Sequence, residues 1–393
     1  MRGSHADIPL YAVDEAGQVN LLSKLALVHP QGALMPMEGS GWPVPPDSRD
    51  GWWEGLPYPL YDIRPQGFIG RQFARAEHQR LGVSPNPEEW SDDDIVFVLS
   101  HAGSDVSGNL LLGDDACKLW LSNKLAPPEP ATEANLGEHY ARRAHQALMG
   151  GMAASSAAGE FPKFTALRQH ENATPHVLVK FSGAGESAAE RRWADLLVCE
   201  HHALECAARL SGVASARTRV VQHGERTFLE SERFDRVGLH GRLSLCTLDT
   251  LSHAFLGTSS TDWALLSARL HEMALVDAGT VRAIELLWWF GRLIGNTDMH
   301  LGNLSFHMTP TLRLAPAYDT LPMMYAPLPG GEVPPREFTP PLPLPEQTGL
   351  WKIACKAALE FWQLASTEAR ISGPFQSVCR ANYRQLDEIA ARL

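Results

Sequence analysis

The chain has 393 residues, 44% of them hydrophobic, a formal charge of −11 and six cysteines. That supplies a sizeable core for two or three packing units, and no run of about 18 uncharged apolar residues is present, so a membrane span is not indicated. The acidic balance disfavours broad binding to nucleic acid or anionic membrane; a nucleotide held with a divalent metal fits it better.

Residues 1–6, beginning MRGSH, look like a tag remnant, and no secretory apolar segment follows, so a cytoplasmic protein is expected. Residues 7–130 are rich in Gly, Pro and Trp. Short runs such as Ile95–Ser100 (IVFVLS) and Gly108–Gly113 (GNLLLG) predict strands joined by turns, a β-rich N-terminal subdomain. Cys117, Cys199, Cys206, Cys246, Cys355 and Cys379 lack CxxC spacing and read as reduced, mostly buried thiols.

Residues 131–236 carry the first candidate site features. Met152–Leu167 (MAASSAAGEFPKFTAL) is a small-residue loop running into a strand. Small side chains let backbone N–H groups approach phosphate oxygens, and Ser155, Ser156 and Lys163 add hydroxyl and cationic contacts. The loop lacks the GxxxxGK[ST] spacing of a P-loop. His176–Phe181 (HVLVKF) alternates Val177, Val179 and Phe181 on one face with His176, Leu178 and Lys180 on the other, placing a cation in mid-strand. The next helix offers Asp195 and Glu200 as partners for Lys180, with Glu200 favoured. Thr227–Arg236 (TFLESERFDR) reads as a strand ending at the entrance to the helical half, where backbone groups could meet an adenine edge beside Phe234.

Residues 237–393 are mainly helical. Val281, Ile284, Leu287, Trp288 and Gly291 recur at helical spacing, and Cys355–Ala365 and the C-terminal segment do likewise. Between these helices lies GNTDMHLGNLSF (Gly295–Phe306). Asp298 and Asn303 would diverge by roughly 140° on an ideal helix, so they converge only on a loop. A hairpin from Leu304–His307 to Leu312–Ala315 would then return Asp319 to Asn303. Two carboxylates and a carboxamide suit Mg²⁺ shared with phosphates: Asn303 and Asp319 as ligands, Asp298 as acceptor of a proton from an attacking hydroxyl. His300 is expected to prop the loop. The proline-rich Ala326–Glu346 segment excludes helix and central strand, leaving an extended surface loop or a flap.

In this order, SSAAGEFPKFTA, the strand lysine of HVLVKF, ESERFDR, GNTDMHLGNLS and APAYDTL resemble the HipA-like serine/threonine kinases of bacterial toxin–antitoxin systems, most closely the HipH (YjjJ) branch. The resemblance runs from Gly51 to the C-terminus. It implies an α+β, two-lobed, protein-kinase-like fold related to phosphoinositide kinases, with a mixed β-rich N-lobe and a mainly α-helical C-lobe, and with ATP and Mg²⁺ in the cleft. It further implies Asp298 as catalytic base, Asn303 and Asp319 as metal ligands, Lys180 as the phosphate-binding lysine, and backbone contacts to adenine from Glu232 and Phe234. Inhibitory autophosphorylation would fall on Ser155 or Ser156. A helix-turn-helix antitoxin and a protein substrate, in relatives an aminoacyl-tRNA synthetase, are the implied partners. Two positions depart from the family pattern: Phe161 stands where glutamine is usual, and Gly302 where a basic residue is frequent. The N-terminal helix-turn-helix segment of HipH-type proteins is not found. A metal-dependent nuclease built on the same acidic cluster and a small-molecule kinase are the alternatives.

Overall fold

A computed structural model of the chain describes residues 7–28, 32–149, 161–169 and 174–393. The N-terminal part forms an antiparallel sheet in the order β4-β3-β2-β1-β5, from β1 (Ile8–Val13), β2 (Val19–Val28), β3 (Gly32–Leu34), β4 (Trp52–Trp53) and β5 (Leu110–Leu112). Three helices accompany it, α1 (Gly67–Leu81), α2 (Asp92–Ala102) and α3 (Asp114–Leu125). Ile95–Ser100, expected as a strand, therefore lies inside α2. Ser91 and Asp94 close a capping box that starts this helix, each side chain accepting the other's backbone N–H at 3.2 Å. Ile95, Val96, Val98 and Leu99 are all buried. A helix covered on most sides writes a continuous apolar run, which periodicity alone does not separate from a buried strand.

The middle part is a four-stranded antiparallel sheet, β6 (Lys163–Leu167), β7 (His176–Phe181), β8 (Thr218–His223) and β9 (Arg226–Glu232), in the order β6-β7-β9-β8. The alternation predicted for β7 is present. Val177, Val179 and Phe181 pack with Phe164, Phe228 and Tyr140, the last from α4 (Leu136–Met149). Lys180 leaves the opposite face, toward α5 (Ala188–Ala207), which begins with a second capping box, Ser187 and Glu190. Lys163 is the cross-strand partner of Lys180. A short ribbon, β10 (Arg236–Val237) with β11 (Gly241–Arg242), leads onward.

In the C-terminal part, β12 (Cys246–Thr247), β13 (Ser305–His307) and β14 (Arg313–Leu314) form a small antiparallel sheet, so the predicted hairpin is present as β13–β14. Around it lie α6 (Leu248–Leu251), α7 (Trp263–Glu272), α8 (Ala278–Leu293), α9 (Thr348–Thr367) and α10 (Gly373–Ala390). Trp351, Trp362, Phe361, Phe290 and Phe375 are fully buried at their contacts. The proline-rich segment runs over this core without helix or strand until a short turn at Pro345–Gln347. It is pinned at two points: Phe338 is buried against Trp362, and the Trp351 indole N–H donates to the Pro341 carbonyl at 2.8 Å. All six cysteines are free and buried. No described helix is long and apolar enough to cross a membrane.

Candidate active site

The loop after α8 is shaped by the way that helix ends. Gly295 has φ +73°, a left-handed conformation that costs glycine little. Its N–H donates to the Arg292 carbonyl at 3.3 Å, and the Asn296 N–H donates to Gly291 at 2.9 Å. This pair is a Schellman motif, which satisfies two terminal carbonyls and turns the chain sharply. The buried Asn296 then accepts the Asp298 N–H through Oδ1 at 3.0 Å, starting the polar turn. Gly291 in the last turn of α8 leaves a slot for Met299: a Cβ there would meet the Met299 sulfur at 2.6 Å.

Three side chains from three elements meet beside this loop. Lys180 Nζ from β7 donates to both carboxylate oxygens of Glu200 on α5, at 2.7 and 2.8 Å, and also to Asp319. Lys180 and Glu200 are buried. Burial alone would weaken the charge on Lys180, but Asp319 and Glu200 overcome it and raise its pKa. Burial likewise opposes ionisation of Asp319, yet Lys180, helped by Lys163, holds its carboxyl down to about 2. For Glu200 burial prevails over Lys180 and raises the carboxyl to about 7. Asp319 has φ +48°, uncommon for a residue with a side chain though tolerated by aspartate. Backbone strain of this kind persists where the surroundings over-determine it.

Asp298 and Asn303 complete the group. The Asn303 amide Nδ2 donates to the Asp298 carbonyl at 2.8 Å, which leaves its Oδ1 as the end able to meet a cation. Asp298 is exposed on the loop, yet desolvation in the cleft, with Asp319 adding to it against His300, raises its carboxyl above the ordinary value. His300 caps the one-turn helix Leu301–Asn303, accepting the Gly302 N–H at Nδ1 (3.1 Å), as expected of a propping residue. Tyr318 ties the two halves together. Its hydroxyl donates to the Gly302 carbonyl at 2.5 Å and accepts from Ser305 at 2.7 Å. Nothing in the sequence reading assigned Tyr318 a role; its place just before Asp319 was the available signal. The donor set fits Mg²⁺, with a carboxylate held ionised on Asp319 and a carboxamide oxygen on Asn303, both hard ligands.

Residues 155–379 match the family model of the HipA-like C-terminal domain, and residues 4–121 that of the YjjJ-like toxin middle domain. Toxin YjjJ of Escherichia coli (strain K12) is 35% identical over 391 residues, 98% of this chain and 86% of that protein. The chain belongs to the HipA-like toxin family, on its YjjJ branch. HipA from Shewanella oneidensis MR-1, solved in a toxin–antitoxin complex with HipB and operator DNA, aligns at a TM-score of 0.58 with 15% identity. That alignment covers 98% of this chain and 97% of that one and shows a shared two-lobed α+β fold. The Helicobacter pylori proinflammatory kinase CtkA aligns at a TM-score of 0.39, with 12% identity over 59% of this chain and 90% of that one.

The other positions expected from the sequence differ in where they fall. Lys163 lies across from Lys180 on β6. Ser155 and Ser156 lie outside the described residues. Glu232, the last residue of β9, donates its backbone N–H to the Arg217 carbonyl at 2.8 Å. Phe234 packs on Tyr318 with ring centroids 5.5 Å apart, joining the strand end to the Asp319 segment. Phe161, where the family usually has glutamine, is buried edge-on against Trp193 of α5 at 4.6 Å, an apolar anchor just before β6. At Gly302 a Cβ would lie 3.0 Å from His300 Nδ1, so a larger residue there crowds the propping imidazole.

Proposed function

We propose that the chain is an ATP- and Mg²⁺-dependent serine/threonine protein kinase and that phosphoryl transfer is its toxic activity. The observation that carries this reading is the convergence of Lys180, Glu200 and Asp319, from β7, α5 and the segment after β14, beside Asp298 and Asn303. Phosphoryl transfer asks a protein mainly for positioning and for charge placed where phosphate oxygens sit. Lys180, aimed by Glu200, presents an ammonium to those oxygens. Asn303 Oδ1 and Asp319 would hold the Mg²⁺, which when bound neutralises phosphate charge. Asp298, exposed at the mouth of the loop and with its carboxyl raised, is placed to accept the proton of an acceptor hydroxyl. The backbones of Glu232 and Phe234 are the candidates for reading adenine.

Inhibitory autophosphorylation at Ser155 or Ser156, a helix-turn-helix antitoxin partner and a protein substrate of the aminoacyl-tRNA synthetase class complete the proposal on the strength of the family. The His300 ring, committed to Gly302, favours this reading over a nuclease in which it would serve as ligand or base. Incubation of the purified chain with ATP and Mg²⁺, followed by mass spectrometry, should show phosphate on Ser155 or Ser156. Absence of added phosphate together with nicking of plasmid DNA would replace the kinase by the nuclease.

A further inference from the structure

The helix that supplies Glu200 continues with His201, His202 and, one turn on, Glu205. We infer that His201, His202 and Glu205 form a binding site for one zinc ion or a similar transition-metal ion, separate from the cleft and independent of the phosphotransfer reading. His202 Nδ1 lies 3.2 Å from Glu205 Oε2, His201 Nε2 lies 3.8 Å from Glu205 Oε1, and the ligand atoms of all three residues lie within 4.8 Å of one another. Tetrahedral zinc with bonds of about 2.1 Å places its ligand atoms about 3.4 Å apart, so the three groups accept an ion with small side-chain rotations.

The opposite nitrogens explain why a cation belongs there. His202 Nε2 is 2.8 Å from Glu368, whose carboxylate is itself held by Arg370 at 2.9 and 2.7 Å. Facing a carboxylate, Nε2 carries the ring proton and donates. With Nε2 donating, Nδ1 is the end of the ring turned toward the Glu205 carboxylate. His201 brings a second ring nitrogen to the same carboxylate. Its Nδ1 is held by the Thr218 hydroxyl at 2.8 Å, while its Nε2 also faces Glu205, at a distance too long for a hydrogen bond but within reach of a shared ion. Each imidazole is thus oriented by an outer partner, Thr218 on β8 or Glu368 after α9, with its remaining nitrogen directed at one carboxylate, the usual support of a metal-binding histidine. Glu205 is exposed, which provides an entry path, and three protein ligands leave a fourth position for water.

The full-length chain, stripped of metal and titrated with Zn²⁺ alone in a calorimeter, should bind one ion in a saturable step, and Co²⁺ in its place should give the visible absorption of a four-coordinate centre. Glu205→Gln and His201→Ala should abolish both signals, and Thr218→Val should weaken Zn²⁺ binding by about tenfold. Glu205 is a surface side chain, so its variant remains informative if the histidine variant does not fold. The inference is overturned if the parent shows no saturable one-ion step, or if Glu205→Gln binds Zn²⁺ as tightly as the parent.

Discussion

Two charge networks among the described residues differ in what they leave over. One joins Asp105 and Asp235 to Arg233, Arg236 and Arg242. Asp235 accepts from Arg233 at 2.9 Å, Arg236 at 2.7 Å and the Gly108 N–H at 2.8 Å, while Arg242 donates to the Ser104 carbonyl at 2.6 Å. Its ion pairs all run among these five residues and join the N-terminal part to the strand-end ribbon of the middle part, with Arg236 Nε and Arg242 Nη1 buried and unpartnered. The other network sets Lys180 and Lys163 against Glu200, Asp319 and Asp298, two cations against three carboxylates, at the edge of an open loop. A network that closes on itself holds parts together. One with surplus carboxylate and an exposed member has chemistry left for a metal ion and a substrate.

Breaking the closed network should cost the most stability. Asp235→Ala strands buried guanidinium groups and should lower the unfolding free energy by about 3–5 kcal/mol in chemical denaturation. A loss under about 1 kcal/mol would show that this network is not a keystone. Next in size is Tyr318→Phe, which removes the hydroxyl that links Gly302 and Ser305. It should cost about 1–2 kcal/mol of stability and lower phosphotransfer per folded molecule, measured by denaturation and initial rates. Equal activity per folded molecule would assign Tyr318 to packing alone.

The smallest effect is a pH dependence. The folded chain raises Glu200 from 4.5 to about 7, so it retains a proton that the unfolded chain has released. The associated stability is complete below the unfolded value and is lost as pH rises toward the folded one. Melting temperatures measured from pH 4.5 to 7 should fall less steeply in Glu200→Gln than in the parent; identical slopes would show that Glu200 is ionised throughout this range.

How much of this was legible depended on sequence distance. The loop, the β13–β14 hairpin and the pairing of Lys180 with Glu200, 20 positions apart, rest on residues close in sequence, where spacing and alternation carry the information. The α2 segment misled because burial on most sides erased its periodicity, although Ser91 and Asp94 carried a capping signal three residues apart. The closed network was invisible because its members are far apart: Asp105 and Arg233 are separated by 128 positions. Tyr318 escaped notice for a related reason, since its hydroxyl donates to a backbone carbonyl, and every residue has one.

The most direct measurement compares the parent with Asp298→Asn for phosphate transferred from ATP in the presence of Mg²⁺, with nucleotide binding followed in parallel. Transfer should fall at least about a hundredfold with nucleotide affinity nearly unchanged, because the role proposed for Asp298 is toward the acceptor hydroxyl and not the nucleotide. Transfer by Asp298→Asn at the parental rate would contradict it.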